Sequence, residues 1–135
     1  MKPDACSIGL FNGDQVLLIQ RAYAPFLGQW TFPGGRMEPG ETPLECVQRE
    51  LFEETRLLVS DPMQVLVETV GEGEKTYTLA VFAAHCPMGA PVTSHEISDW
   101  DWVHIEEVQS YRTTDHLAEI VEVSQNMGRA AGRVR

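Results

Sequence analysis

A chain of 135 residues, 43% hydrophobic and 22% charged, has the length and composition of one globular domain with a sizeable core. Its 20 acidic and 10 basic residues leave a net charge of −10, which argues against nucleic acid or an anionic membrane as partner, and no stretch is apolar enough to span a bilayer. Cys6, Cys46 and Cys86 are odd in number and widely spaced, so they read as reduced thiols. With no signal pattern at Met1-Lys2-Pro3-Asp4, the expected location is the cytoplasm.

Residues 5–11 read as a strand, and Asn12-Gly13 as a tight turn, since both residues tolerate positive φ. Residues 16–21 (Val-Leu-Leu-Ile-Gln-Arg) form the return strand, apolar on both faces and so inside a sheet. A loop over 23–29 leads to a short strand at 30–32, which Pro33-Gly34-Gly35 breaks. Pro39-Gly40 turns the chain into the main helix. Thr42 is its N-cap, Pro43 suits the first helical position, and Glu45 completes a capping box with Thr42. Leu44, Val47, Leu51 and Leu58 fall within roughly 60° of one another on a helical wheel, a stripe expected to face the sheet.

Residues 64–70 and 75–86 read as two strands joined as a hairpin by the loop 71–74. A turn-rich loop over 87–91, a last strand over 100–104 and a helical turn over 105–108 follow. A C-terminal helix over 115–127 packs through Leu117, Ile120, Val121 and Ser124 and ends before Gly128. The basic tail 129–135 is expected to fray. The order is β, β, helix, β, β, β, helix, a mixed sheet with helices packed on it, in one domain over 1–135.

The chemistry is concentrated in residues 35–57. Glu50, Glu53 and Glu54 stand at i, i+3 and i+4, so on a helix they project from one side, with Glu54 and Glu53 about 40° and about 60° to either side of Glu50. Three like charges crowded together repel, and a hard divalent cation with oxygen ligands offsets that cost. Such a cation also reverses the local field, so an acidic chain can still accept an anionic nucleotide. Arg49 precedes Glu53 by four residues and can pair with it.

The spacing from Gly35 through Glu41 and Arg49-Glu50-Leu51-Phe52-Glu53-Glu54-Thr55-Arg56-Leu57 resembles the box of the Nudix hydrolases, G-x5-E-x7-R-E-U-x-E-E-x-G-U with U a bulky apolar residue. Every specified position matches except Arg56, where the family has Gly. The resemblance implies an α/β/α sandwich with a mixed sheet between helices. It also implies Mg²⁺- or Mn²⁺-dependent hydrolysis of the pyrophosphate bond of a nucleoside diphosphate linked to another group.

Carried over by position, Glu50, Glu53 and Glu54 would be metal ligands, Glu53 the most consequential, with the Gly34 carbonyl as a further oxygen ligand. Glu41 and Arg49 would orient the carboxylates, the alternatives being loop geometry and a simple salt bridge. Glu96 would add a downstream catalytic or ligand carboxylate. Arg21 and Arg36 would bind phosphate. Phe26, Trp30, Phe32 and Tyr77 are candidates for stacking on a base, while Trp102 reads as core and His85, His95, His104 and His116 carry no metal-ligand spacing. At Arg56 a non-Gly residue in the left-handed closing position costs about 1 kcal/mol; otherwise the helix runs on through Leu58.

The pattern around the box looks most like the small MutT-like or ADP-ribose pyrophosphatase-like branch, with ADP-ribose or a similar nucleoside diphosphate sugar as the expected substrate. The alternatives are a MutT-like nucleoside triphosphate pyrophosphohydrolase and a non-catalytic nucleotide-sensing module. Homodimers are common in the family.

Overall fold

A computed structural model describes residues 2–71 and 73–134. Chain order gives β1 (Ala5–Asn12), β2 (Gln15–Arg21), β3 (Trp30–Thr31), β4 (Gly34–Arg36), helix α1 (Pro43–Thr55), β5 (Met63–Val70), β6 (Tyr77–His85) and β7 (Ile97–His104). A 3-10 helix (Ile105–Ser110) and α2 (Leu117–Ala130) complete it. β1 is the axis of the sheet. β6 runs parallel along one edge, from Ala5 opposite Leu79 to Phe11 opposite His85, and β5 continues the sheet beyond β6. On its other edge β1 pairs with β4 at its start, Ser7 opposite Gly34, and with β2 at its end, Phe11 opposite Val16. β7 lies antiparallel along β2, and β3 pairs with β2 at Ile19 and Gln20.

Alternation along β1 and β6 divides the interior into two cores. Cys6, Ile8 and Leu10 of β1 with Ala80, Phe82 and Ala84 of β6 face Cys46, Val47 and Leu51 of α1. Phe11, Val81 and Ala83 pack with Leu117 and Val121 of α2 on the opposite face. Both faces of β1 are therefore buried, which is why it reads as a near-continuous apolar run. The layers are helix, mixed sheet, helix, as the resemblance implied. Among the described residues no helix is long and apolar enough to cross a membrane.

The capping box at α1 forms as expected: Thr42 Oγ1 accepts from the Glu45 backbone, and Glu45 Oε1 accepts from the Thr42 N–H. The helix then stops at Thr55. Arg56 takes the left-handed conformation at φ 62°, and its guanidinium lies 5.0 Å from the Phe52 ring centre, a contact that offsets part of the backbone cost. Leu58 is thus outside the helix and exposed, and Leu44 is half-exposed; Cys46, Val47, Leu51, Glu54 and Thr55 are the buried side instead. The packing face is rotated towards Glu54 relative to the expected stripe.

Three further expectations are corrected. The short strand does end before Pro33, but Gly34-Gly35 then opens a further strand, β4, that the expected order lacks, because Gly34 without a Cβ can press against the β1 backbone. β7 begins at Ile97 rather than at residue 100, since its first residues also pair with β2. Gly128 does not end the C-terminal helix and the tail is not frayed. The chain turns back after Ala130, Val134 is buried at 3% exposure, the Arg133 carbonyl accepts from His85 N–H, and Arg133 pairs with Asp61. Of the loop over 71–74, Glu72 lies outside the described residues, as does Arg135 of the tail.

A Cβ on Gly128 would lie 2.5 Å from Val134 Cγ2. Gly128→Val should therefore expel the tail, lower stability by about 1–3 kcal/mol and open Arg129 and Arg133 to trypsin. Unfolding curves and limited proteolysis of the two proteins would measure this; an unchanged cleavage rate would contradict the docking.

Candidate active site

The site begins with the glycine pair. A Cβ on Gly34 would clash with the Cys6 carbonyl oxygen and come 2.7 Å from Ser7 Cα, so Gly is required for β4 to lie against β1. A Cβ on Gly35 would fall 2.6 Å from Glu50 Oε1, inside that carboxylate. One glycine thus fits the turn to the sheet, and the next leaves room for an acidic side chain of α1. Beneath them, Cys46 Sγ faces the Gly35 carbonyl at 3.8 Å and Cys6 Sγ the Pro43 carbonyl at 3.5 Å, two buried thiols wedged where α1 meets the turn.

The three box carboxylates occupy different environments. Glu54 is buried, with 2% exposure; its Oε1 accepts the Gly34 N–H at 2.7 Å, and its Oε2 is buried without a partner. Burial is the main reason its pKa is pushed up to about 8. The Gly34 N–H opposes that shift, while the Glu50 and Glu96 charges reinforce it. Glu50 is half-buried and also raised, first by burial, with Glu53 and Glu96 adding repulsion. Glu53 is mostly exposed.

Arg49 ties this side together. Its Nη1 donates to Glu50 Oε1 at 2.8 Å and to Glu53 Oε2 at 3.2 Å. Its Nε and Nη2 donate to the two Glu41 oxygens at 2.6 and 3.0 Å, and Nη2 also reaches the Arg36 carbonyl at 3.0 Å. Glu41 in turn accepts the Glu38 N–H at 2.8 Å. The Arg49 hydrogen bonds hold Glu41 near pKa 2, and the same carboxylates keep Arg49 charged. With the guanidinium between Glu50 and Glu53, no three acidic, histidine or cysteine side chains among the described residues converge on a ready-made metal cluster.

The residues nonetheless fit a hard divalent cation. Glu54 presents an orphaned buried oxygen, Glu50 is half-desolvated beside it, Glu53 is accessible at the rim, and all are oxygen donors. Glu96 is exposed on the loop before β7, tied in by its carbonyl accepting Ala22 N–H at 2.9 Å, and its charge reaches both Glu50 and Glu54. Arg21 ends β2 with a buried, unpartnered Nε, and its charge acts on Glu54. Arg36 is exposed at the end of β4.

Among the aromatics, Phe32 is buried in the α2-side core, Trp30 meets Tyr111 edge-on at 5.2 Å, and Phe26 lies on an exposed loop at φ 68°. Tyr77 is within electrostatic reach of Arg36, Glu68 and Arg21. Trp102 is core, its indole N–H donating to the Gly89 carbonyl at 2.9 Å. The four histidines join no metal cluster among the described residues. Sequence reasoning did not single out Ser7, the β1 partner of Gly34, because it belongs to no motif.

A family model described as the NUDIX domain matches residues 1–123. Isopentenyl-diphosphate Delta-isomerase of Rhizobium rhizogenes is 34% identical over 126 residues, covering 80% of this chain and 59% of the relative. 8-oxo-dGDP phosphatase NUDT18 of Mus musculus is 42% identical over 90 residues, 67% of this chain and 27% of the relative. This chain therefore spans less than two thirds of either of these relatives. Putative 8-oxo-dGTP diphosphatase 2 of Mycobacterium tuberculosis (strain H37Rv) is 35% identical over 108 residues, 70% of this chain and 75% of that protein. Among solved structures, the MutT NUDIX hydrolase from Burkholderia pseudomallei superposes with TM-score 0.80 at 21% identity, covering 90% of this chain and 97% of its own. The NUDIX domain of Shewanella oneidensis NrtR complexed with ADP ribose gives 0.79 at 22%, covering 93% and 88%. At these identities the superpositions show the fold.

Two outcomes follow from the geometry. Gly35→Ala should fold yet lose Mn²⁺ binding by about tenfold or more, because the methyl displaces Glu50; calorimetric titration would test it, and unchanged affinity would contradict the packing. Glu54 sets a pH dependence. A carboxyl raised to about 8 when folded keeps its proton over a range where the unfolded chain has lost it. The stability of the metal-free protein should therefore fall as pH rises from about 4.5 towards 8. Glu54→Gln should flatten that slope, as thermal melts in chelator across this range would record.

Proposed function

This chain belongs to the Nudix family, and from that membership and its site we propose that it hydrolyses the pyrophosphate bond of a nucleoside diphosphate linked to another group. The observation that carries the reading is the buried, unpartnered Glu54 oxygen beside Glu50, where Gly34 presses against the β1 backbone. Glu50, Glu53 and Glu54, with the Gly34 carbonyl, would hold a divalent cation, Mg²⁺ or Mn²⁺. When bound, such an ion makes a coordinated water a stronger nucleophile and neutralises charge on the phosphates. Arg49, anchored by Glu41, keeps Glu50 and Glu53 on the same side of α1 and balances their charge in the absence of substrate. Arg21 and Arg36 bind the phosphate oxygens, with Arg21 poised by its free Nε. Glu96, whose carboxylate makes no hydrogen bond among the described residues, takes the proton of the attacking water. The net charge of −10 argues against nucleic acid as substrate.

ADP-ribose or a related nucleoside diphosphate sugar is the substrate that the residues around the box suggest, and a solved relative of the same fold is described with ADP ribose. A second reading is an oxidised guanine nucleotide, a di- or triphosphate. It is supported by relatives above 30% identity named for 8-oxo-dGDP and 8-oxo-dGTP. Isopentenyl diphosphate, in the name of a further relative, shares only the diphosphate with these. The site we describe acts on that common group.

Turnover of a panel containing ADP-ribose, other nucleoside diphosphate sugars, dinucleoside polyphosphates, 8-oxo-dGDP, 8-oxo-dGTP and ordinary triphosphates, with products separated by chromatography, tests the proposal. Hydrolysis should require Mg²⁺ or Mn²⁺. Glu53→Gln should keep the fold and lower kcat by about 100-fold or more, since even supporting groups around a metal contribute up to that much. Full activity in Glu53→Gln would remove Glu53 from the ligand set, and nucleotide binding without turnover of any substrate would favour a sensor.

A further inference from the structure

The Glu96 carboxylate makes no hydrogen bond among the described residues, so its place is set by the backbone that carries it. That backbone is a four-residue turn, Ser94-His95-Glu96-Ile97, closed by the Ile97 N–H donating to the Ser94 carbonyl at 3.1 Å. Beyond the turn the sheet takes over. The Glu96 carbonyl accepts the Ala22 N–H at 2.9 Å, and Ile97 lies opposite Arg21 on β2. The turn is thus fastened to β2 on its C-terminal side.

On its N-terminal side it is fastened to α1. The last carbonyls of a helix have no partner within the helix. Here the loop supplies partners for two of them: the Val92 N–H donates to the Thr55 carbonyl at 2.9 Å, and the Ser94 N–H to the Glu54 carbonyl at 3.2 Å. Glu54 is therefore gripped twice, at its side chain by the Gly34 N–H at 2.7 Å and at its carbonyl by Ser94. Ser94 also reaches into the turn. Its Oγ accepts the Glu96 N–H at 3.3 Å, the local bond by which a serine hydroxyl stabilises a turn two residues on. Three bonds thus meet at half-buried Ser94, one from the helix that carries the buried acid and two from the turn that carries Glu96.

A base must stand within hydrogen-bond reach of the proton it takes, and a misplacement of about 1 Å can cost about 100-fold in rate. The Glu96 charge already acts on Glu50 and Glu54 across the site. We propose that Ser94 is a positioning residue for hydrolysis, fixing the Glu96 turn against the last turn of α1 so that Glu96 stands over the Glu50 and Glu54 carboxylates. This rests on the nucleotide-hydrolase reading and on Glu96 as the base within it.

Ser94→Ala removes the hydroxyl and keeps the N–H that grips α1, whereas Ser94→Asn restores a side-chain acceptor for the N–H two residues on. The assay uses Mn²⁺ and whichever of ADP-ribose and 8-oxo-dGTP the unaltered protein hydrolyses. Ser94→Ala should lower kcat about tenfold with KM and melting temperature unchanged, and Ser94→Asn should recover most of the loss. Because Ser94 acts through Glu96, Ser94→Ala should cost nothing further in a Glu96→Gln background. Amide hydrogen exchange, read without substrate or metal, needs no turnover. The Glu96 N–H should exchange about tenfold faster in Ser94→Ala, with the α1 amides unchanged. Unchanged kcat in Ser94→Ala, an equal loss with and without the Glu96 carboxylate, or unchanged exchange at Glu96 would each overturn the assignment. No turnover of these nucleotides or of the wider panel by the unaltered protein, with exchange at Glu96 still faster in Ser94→Ala, would overturn the hydrolase reading and the catalytic role with it, while leaving Ser94 as the hold on the turn.

Discussion

The whole site hangs on the squeeze of Gly34 and Gly35 between β1 and α1. The β1 backbone leaves no room for a Cβ at Gly34, and a Cβ at Gly35 would have to displace the Glu50 carboxylate. That approach brings the Gly34 N–H to Glu54 and pulls a carboxylate into the edge of the core. Burying a charge without a full set of partners is expensive, and the protein meets that cost by leaving Glu54 largely protonated near neutral pH. A bound cation would reverse this balance, so stability is given up at the place where binding energy is recovered. Cys6 and Cys46 fill the space beneath with small, soft, neutral groups, and burial keeps both thiols protonated.

Arg49 is the counterpart of that buried acid. Its guanidinium contacts Glu41, Glu50 and Glu53 together, so it acts less as a simple salt bridge than as a fixed internal cation around which the carboxylates are arrayed. Its bonds also reach the Arg36 carbonyl, fastening β4 to the helix. The arrangement is therefore ordered, with Glu53 held at the rim and Glu54 at the base. On the proposed ligand set, binding a divalent ion would have Glu53 exchange one positive partner for another while Glu54 gives up a proton.

Much of this was legible in the sequence because it depends on short-range geometry. The i, i+3, i+4 spacing of Glu50, Glu53 and Glu54, the Thr42–Glu45 capping box and the apolar runs of β1 and β2 are local rules, and the structure keeps them. Contacts between distant segments were not legible. Gly34-Gly35 looks like a breaker until β1 lies against it. Gly128 looks like a helix end until Val134 folds back onto it, and Leu58 looks like core until Arg56 stops the helix. Ser7 carries no motif, and only the register of β1 with β4 brings it opposite Gly34.

The central claim is that Glu54 is a protonated acid waiting for a divalent cation. Proton release on Mn²⁺ binding tests it directly, measured at pH 7 by titration calorimetry in buffers of different ionisation enthalpy. The account predicts release of close to one proton per site, abolished in Glu54→Gln. Mn²⁺ binding at the box with no proton released, or with the same release in Glu54→Gln, would contradict it.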